Sequence, residues 1–74
     1  MIDDFLLSEI KLYKDNVLSC LIHKYSMNEN DARKAIQQSY LLESLIKFPE
    51  ETIYIDIETT TDEIYFDYKR GNNE

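Results

Sequence analysis

Hydrophobic positions open this chain as one long helical stripe. From Asp3 to Tyr25 there is no Gly or Pro, and Leu6, Ile10, Tyr13, Val17, Cys20 and Leu21 recur at helical steps. Leu7, Leu18, Ile22 and Tyr25 widen the stripe on one side, while Glu9, Asp15, Asn16, Ser19 and His23 make the polar face. The spacing predicts a helix of about 22 residues, roughly 33 Å long. Ser26 to Asp31 interrupts the pattern, and Asn28 with Asp31 three residues on has the form of a reciprocal N-cap. A second helix is expected from there, with Ala32, Ala35, Ile36, Ser39, Leu42 and Ile46 on one face and small residues allowing close approach to the first. Phe48-Pro49 ends it, because the residue before a proline is pushed out of the α region. These two elements predict an antiparallel helical hairpin.

Beyond Pro49 two periods compete. Ile53, Ile55 and Ile57 alternate with polar residues, and Ile64, Phe66 and Tyr68 do so again, which reads as a β-hairpin over 52–69. The turn Thr59 to Asp62 contains neither Gly nor Asn, and a lone two-stranded ribbon needs a covering helix. In the helical reading Asp56 is the N-cap, and Ile57, Thr61, Ile64, Tyr65 and Tyr68 form an inward stripe. Glu58, Asp62, Glu63 and Asp67 then fall on the outer face together with Phe66. The local pattern alone leans to strands.

The segment Pro49-Glu50-Glu51 through Asp56, Glu58, Ile64 and Tyr65 resembles the C-terminal signature of short bacterial proteins of prophage and plasmid type. In those a Pro-Glu turn precedes a His, a Ser or Asp cap, a Glu, a Trp-Ala pair and an Ile. Asn28 to Leu42 is similar to the capped helix they carry before it. This chain has Tyr54 for the His and Thr60 for the Trp, so a function resting on that His does not transfer. The resemblance implies an all-helical fold and carries no activity of its own. The resulting expectation is an all-α, three-helix domain over 1–70, a long hairpin plus a short acidic C-terminal helix. Lys69 and Arg70 sit in its last turn, and 71–74 forms a disordered tail. The β-hairpin is the alternative.

Charge changes the picture next. Residues 1–48 hold seven acids and six bases, whereas 49–74 hold eight acids and two bases, so most of the net charge of −7 sits in the last third. Charge confined to one segment points to a partner, whereas evenly spread charge mostly confers solubility. At 74 residues the chain is one domain, burying only about 60% of its unfolded surface. Its single Cys excludes an internal disulfide. Met1-Ile2-Asp3-Asp4 lacks a basic leader, and no apolar run is long enough to span a bilayer, so a cytoplasmic setting without membrane insertion is expected. Abundant Ile, Lys, Tyr and Asn, residues with AT-rich codons, suggest a low-GC bacterium or its mobile elements.

Candidate chemistry is sparse. Cys20 and His23 lie one helical turn apart, but a zinc site needs three or four ligands and the chain has no other Cys or His. Asp56 to Asp67 imitates a twelve-residue calcium loop but has Thr61 where Gly belongs and Asp67 where a bidentate Glu belongs. Nucleophilic catalysis needs a base poised beside a Ser or Cys, whereas the only His lies on the polar face of a long helix, and the chain's one Gly lies in the tail, so no Gly-rich phosphate loop is present. Neither metal nor cofactor nor catalysis is expected. A charge of −7 opposes direct nucleic-acid binding, which draws on Lys and Arg. It suits occupation of a basic surface on a host or toxin protein, in the manner of antitoxins, immunity proteins or phage inhibitors. The candidate partner-binding residues are Tyr54, Glu58, Asp62, Glu63, Phe66 and Asp67, exposed aromatics among carboxylates. The alternative is a structural homodimer through surplus apolar positions of the first helix, Phe5, Leu7, Leu12, Leu18 and Ile22.

Overall fold

The computed structural model describes residues 4–72. They form an all-α domain of five helices: α1 (Asp4–Tyr25), α2 (Glu29–Gln38), α3 (Leu41–Lys47), α4 (Pro49–Ile53) and α5 (Ile57–Asn72). Among the described residues there is no strand, so the β-hairpin alternative is set aside. The chain after Pro49 chooses helix because its ends are capped locally. Pro49 occupies the first turn of α4, where its missing N–H costs nothing. Asp56 Oδ2 then accepts the Thr59 N–H at 3.1 Å to start α5.

The first helix matches its expected span. Asp4 in its first turn and His23 and Lys24 in its last complement the helix dipole. Tyr13, Val17 and Leu21, four residues apart, are its buried row. It stops at Ser26, whose φ of 57° lies in the left-handed region, and the Met27 N–H returns to the Leu21 carbonyl at 3.4 Å. Asn28 opens α2 as expected: its Oδ1 accepts the Asp31 N–H at 2.8 Å, and its Nδ2 donates to Asp31 Oδ2 at 3.1 Å.

The expected single second helix is instead divided at Ser39-Tyr40. The Ser39 hydroxyl donates to the Ile36 carbonyl at 2.7 Å and accepts the Leu41 N–H at 3.1 Å, so one side chain closes α2 and opens α3. The break shifts the helical phase. Ala32, Ala35 and Ile36 stay on the buried face, but beyond the break Leu41 and Leu45 are buried, while Ile46, assigned to the core by a continuous period, is 74% exposed. Thr52 fastens α4 to α3, with its Oγ1 2.6 Å from both Ser44 Oγ and the Phe48 carbonyl.

The molecule measures 40 × 22 × 20 Å, and α1 supplies its length. Rather than pairing chiefly with α2, α1 packs most extensively on α5 and also meets α2 and α4. α5 offers that contact a floor of Thr60, Thr61 and Ile64, all buried. At the centre the Tyr13 hydroxyl donates to the Ile55 carbonyl at 2.8 Å and lies 2.7 Å from Thr60 Oγ1. A phenol has one proton, so Thr60 is the donor in the second bond. Gly71 has no positive φ, and α5 runs through it to Asn72, two residues past Arg70, where the tail was expected to begin. The rest of that expected tail, Asn73 and Glu74, lies outside the described residues.

Candidate protein-binding surface

The floor of α5 leaves two flanks and an outer edge for its acids, and the six candidate residues separate into three groups. Glu58 and Asp62 turn toward the end of α1. There Lys24 Nζ lies 3.0 Å from Glu58 Oε2 and 2.9 Å from Asp62 Oδ1, and the Tyr25 hydroxyl donates to the same Asp62 oxygen. That Tyr25 bond, followed by the Lys24 ammonium, holds the Asp62 carboxyl below the ordinary carboxylate range. The same contacts act in reverse on the donors. Hydrogen bonds to Asp62 and then Glu58 push the Lys24 pKa up, and the bond to Asp62, then burial, raises that of the Tyr25 phenol. These two carboxylates are therefore engaged within the molecule.

Above this pair stands an aromatic triad. The Tyr25 and Tyr65 rings stack with centroids 3.8 Å apart and planes 5° from parallel. Phe66 meets both edge-on, at 6.3 Å from Tyr25 and 5.6 Å from Tyr65. Phe66 is nonetheless 56% exposed. Its ring is braced from beneath and open above.

Glu63 and Asp67 face the opposite way. Glu63 Oε1 accepts the Tyr40 hydroxyl at 2.7 Å, and Asp67 stands 3.6 Å from Arg70. Burial, and then the bond to Glu63, pushes the Tyr40 phenol up to about 12. Tyr40, Ile55, Glu63, Phe66, Asp67 and Arg70 together line an open groove of about 630 Å³. Its walls are apolar and its rim carries two carboxylates against one guanidinium.

Tyr54 belongs to neither flank. It is 87% exposed at the end of α4, and with Phe5, Leu6, Glu9, Glu50 and Ile53 it lines a separate cleft of about 390 Å³ against the start of α1. The six residues thus form a depleted pair, an outward cluster of Glu63, Phe66 and Asp67, and an isolated aromatic. Sequence reasoning passed over Tyr40, Ile55, Lys24 and Tyr25. Tyr40 comes to the surface only because Ser39 breaks the helix, and Lys24 was visible only as a base in the last turn of α1.

Elsewhere, Cys20 is half-buried and His23 exposed, and among the described residues no three of His, Cys, Asp or Glu gather where a metal ion could sit. Asp56 to Asp67 is a cap followed by continuous helix, a geometry that cannot wrap its carboxylates around a cation as a loop does. No helix among the described residues is long and apolar enough to cross a membrane. The fold and surface define a small all-α domain with a grooved acidic side. No protein-family model, curated protein or solved structure matches the chain.

Proposed function

We propose that this is a small non-catalytic binding protein that occludes a basic surface on a partner, in the manner of antitoxins, immunity proteins and phage inhibitors. The observation that carries the reading is Phe66, braced edge-on by Tyr25 and Tyr65 yet open to solvent, beside an apolar groove rimmed by Glu63 and Asp67. A pre-positioned aromatic loses little side-chain freedom on docking, and flanking carboxylates steer a cationic patch and reject anionic ones. Glu58 and Asp62 leave the proposed contact set because Lys24 already holds them.

The test is capture from an extract of the source cells on the immobilised protein. A partner is retained at low salt and released as salt rises, and retention is lost in a Phe66→Ala/Glu63→Gln/Asp67→Asn variant of unchanged helicity. Glu58→Gln leaves retention as it was. Equal capture by the wild type and the triple variant removes the reading.

A further inference from the structure

We infer that the groove between α1 and α4 receives the apolar face of a cationic amphipathic helix from another protein. This face is distinct from the Phe66 groove, and the inference stands without the function proposed above. Its basis is a mismatch along α1, whose first buried residue is Tyr13. The preceding turns expose Phe5 at 74% and Leu12 at 54%, and α4 sets Tyr54 opposite them. Two adjoining clefts sharing Glu9 and Ile53 make this one groove, running from Phe5 and Tyr54 to Asn16 and Ile57. From Phe5 to Asn16 a helix rises about 17 Å, the length of three turns.

Geometry and charge select the occupant. The walls are α1, α4 and the start of α5, and the described residues hold no strand whose edge could pair an extended peptide, so recognition falls to side chains entering a helical groove. Anchors at i, i+3, i+4 and i+7 of an incoming helix span about 11 Å, two of the three turns that lie open. Over the groove's span, 4–16 and 49–57, there are six acids (Asp4, Glu9, Asp15, Glu50, Glu51 and Asp56) and two bases, Lys11 and Lys14, of which Lys14 lines a different cleft together with Asp15. Glu9 and Glu50 line the groove itself. An anionic or neutral helix leaves those carboxylates unanswered, and a second copy brings its own carboxylates against them, so a helix with Lys or Arg flanking an apolar stripe is the complementary partner.

The experiment uses a synthetic 14-residue peptide with Leu at i, i+3, i+4 and i+7 and Lys on the flanks, titrated by calorimetry. A scrambled peptide of equal composition is the control. The patterned peptide is expected to bind about tenfold or more tighter than the scrambled one. Phe5→Ala/Leu12→Ala, exposed positions changed to a strong helix former, is expected to weaken it by about tenfold. Asn30→Ala, an exposed position on α2 outside both grooves, is expected to leave it unchanged, and circular dichroism checks that each variant stays helical. Four results overturn the inference: no binding at millimolar peptide, equal affinity for the scrambled peptide, no loss in the double variant, or a dimer in sedimentation that the double variant abolishes. The last assigns the groove to a second copy.

Discussion

The two flanks of α5 carry the same residue types and meet opposite fates. On one, Glu58 and Asp62 are held by Lys24 and Tyr25, and their charge is spent joining α5 to α1. On the other, Glu63 and Asp67 border a groove with an open aromatic, where Tyr40 and Arg70 answer them. A carboxylate's availability to a partner therefore depends on which neighbouring helix end it meets, not on its place in an acidic run. Exposed pairs of this kind contribute little to stability, so the difference matters more for recognition than for folding.

The largest effect should come from the floor that both flanks share. Ile64→Ala opens a cavity beneath α5 at a fully buried position and is expected to cost about 3 kcal/mol. Denaturant unfolding measures it, and loss of both flanks together is the expected phenotype. A domain this small holds only a few kcal/mol, so that variant is expected to be partly unfolded at room temperature.

Next come two adjacent threonines with opposite signs. Thr60→Val removes a partner of the buried Tyr13 hydroxyl and is expected to destabilise by about 1 kcal/mol. The Thr61 hydroxyl is buried with no hydrogen-bond partner among the described residues, so Thr61→Val replaces it with a methyl and is expected to stabilise by about 1 kcal/mol. Equal shifts of the denaturation midpoint for both variants contradict the packing described.

Titration distinguishes the flanks without mutation. Tyr13, Tyr25 and Tyr40 hold their protons more tightly when folded, so their contribution is complete below the ordinary phenol value of 10.0 and is lost as pH rises beyond it, with Tyr40 titrating near 12. Lys24 shifts in the same direction and adds to this alkaline loss. Asp62 behaves in the opposite sense: its contribution is present above the ordinary value of 3.8 and is lost as pH falls through its lower folded value. Thermal melts from pH 2 to 12 should show both edges, and Asp62→Asn should flatten the acid one and weaken the alkaline one, leaving the part that Tyr13 and Tyr40 contribute.

The smallest effect on stability, and the sharpest on the comparison, is Lys24→Gln. The fold should lose little, while Glu58 and Asp62 become available and affinity for a cationic peptide rises. No gain in that affinity would show that the Lys24 flank is silent for reasons other than its ion pairs.

Much of the helical skeleton was legible in the chain because its signals are local. The stripe through Leu21, the Asn28–Asp31 cap, the Phe48-Pro49 stop and the Asp56 cap each act within a few residues. The break at Ser39 escaped because Ala32 to Ile46 keeps an acceptable period on either side of it, and only the two bonds of the Ser39 hydroxyl reveal the change of phase. The candidate surface was half legible. Glu63, Phe66 and Asp67 share an outer face only in the helical reading, not in the strands to which the local spacing leaned, and Tyr40 comes from 23 residues away and Lys24 from 34 and 38.

The sequence by itself determined the helix from Asp4 to Tyr25, the cap that opens α2, and the concentration of negative charge after Pro49, whereas from Ile57 onward its local pattern leaned to strands and the fold is helical. Those properties depend on period and capping, which act over one or two turns. Tertiary structure decided which acids are spent and which are displayed. Only packing brings Lys24 of α1 against one side of α5 and Tyr40 against the other, and a charge becomes available or committed according to what stands within hydrogen-bonding distance of it.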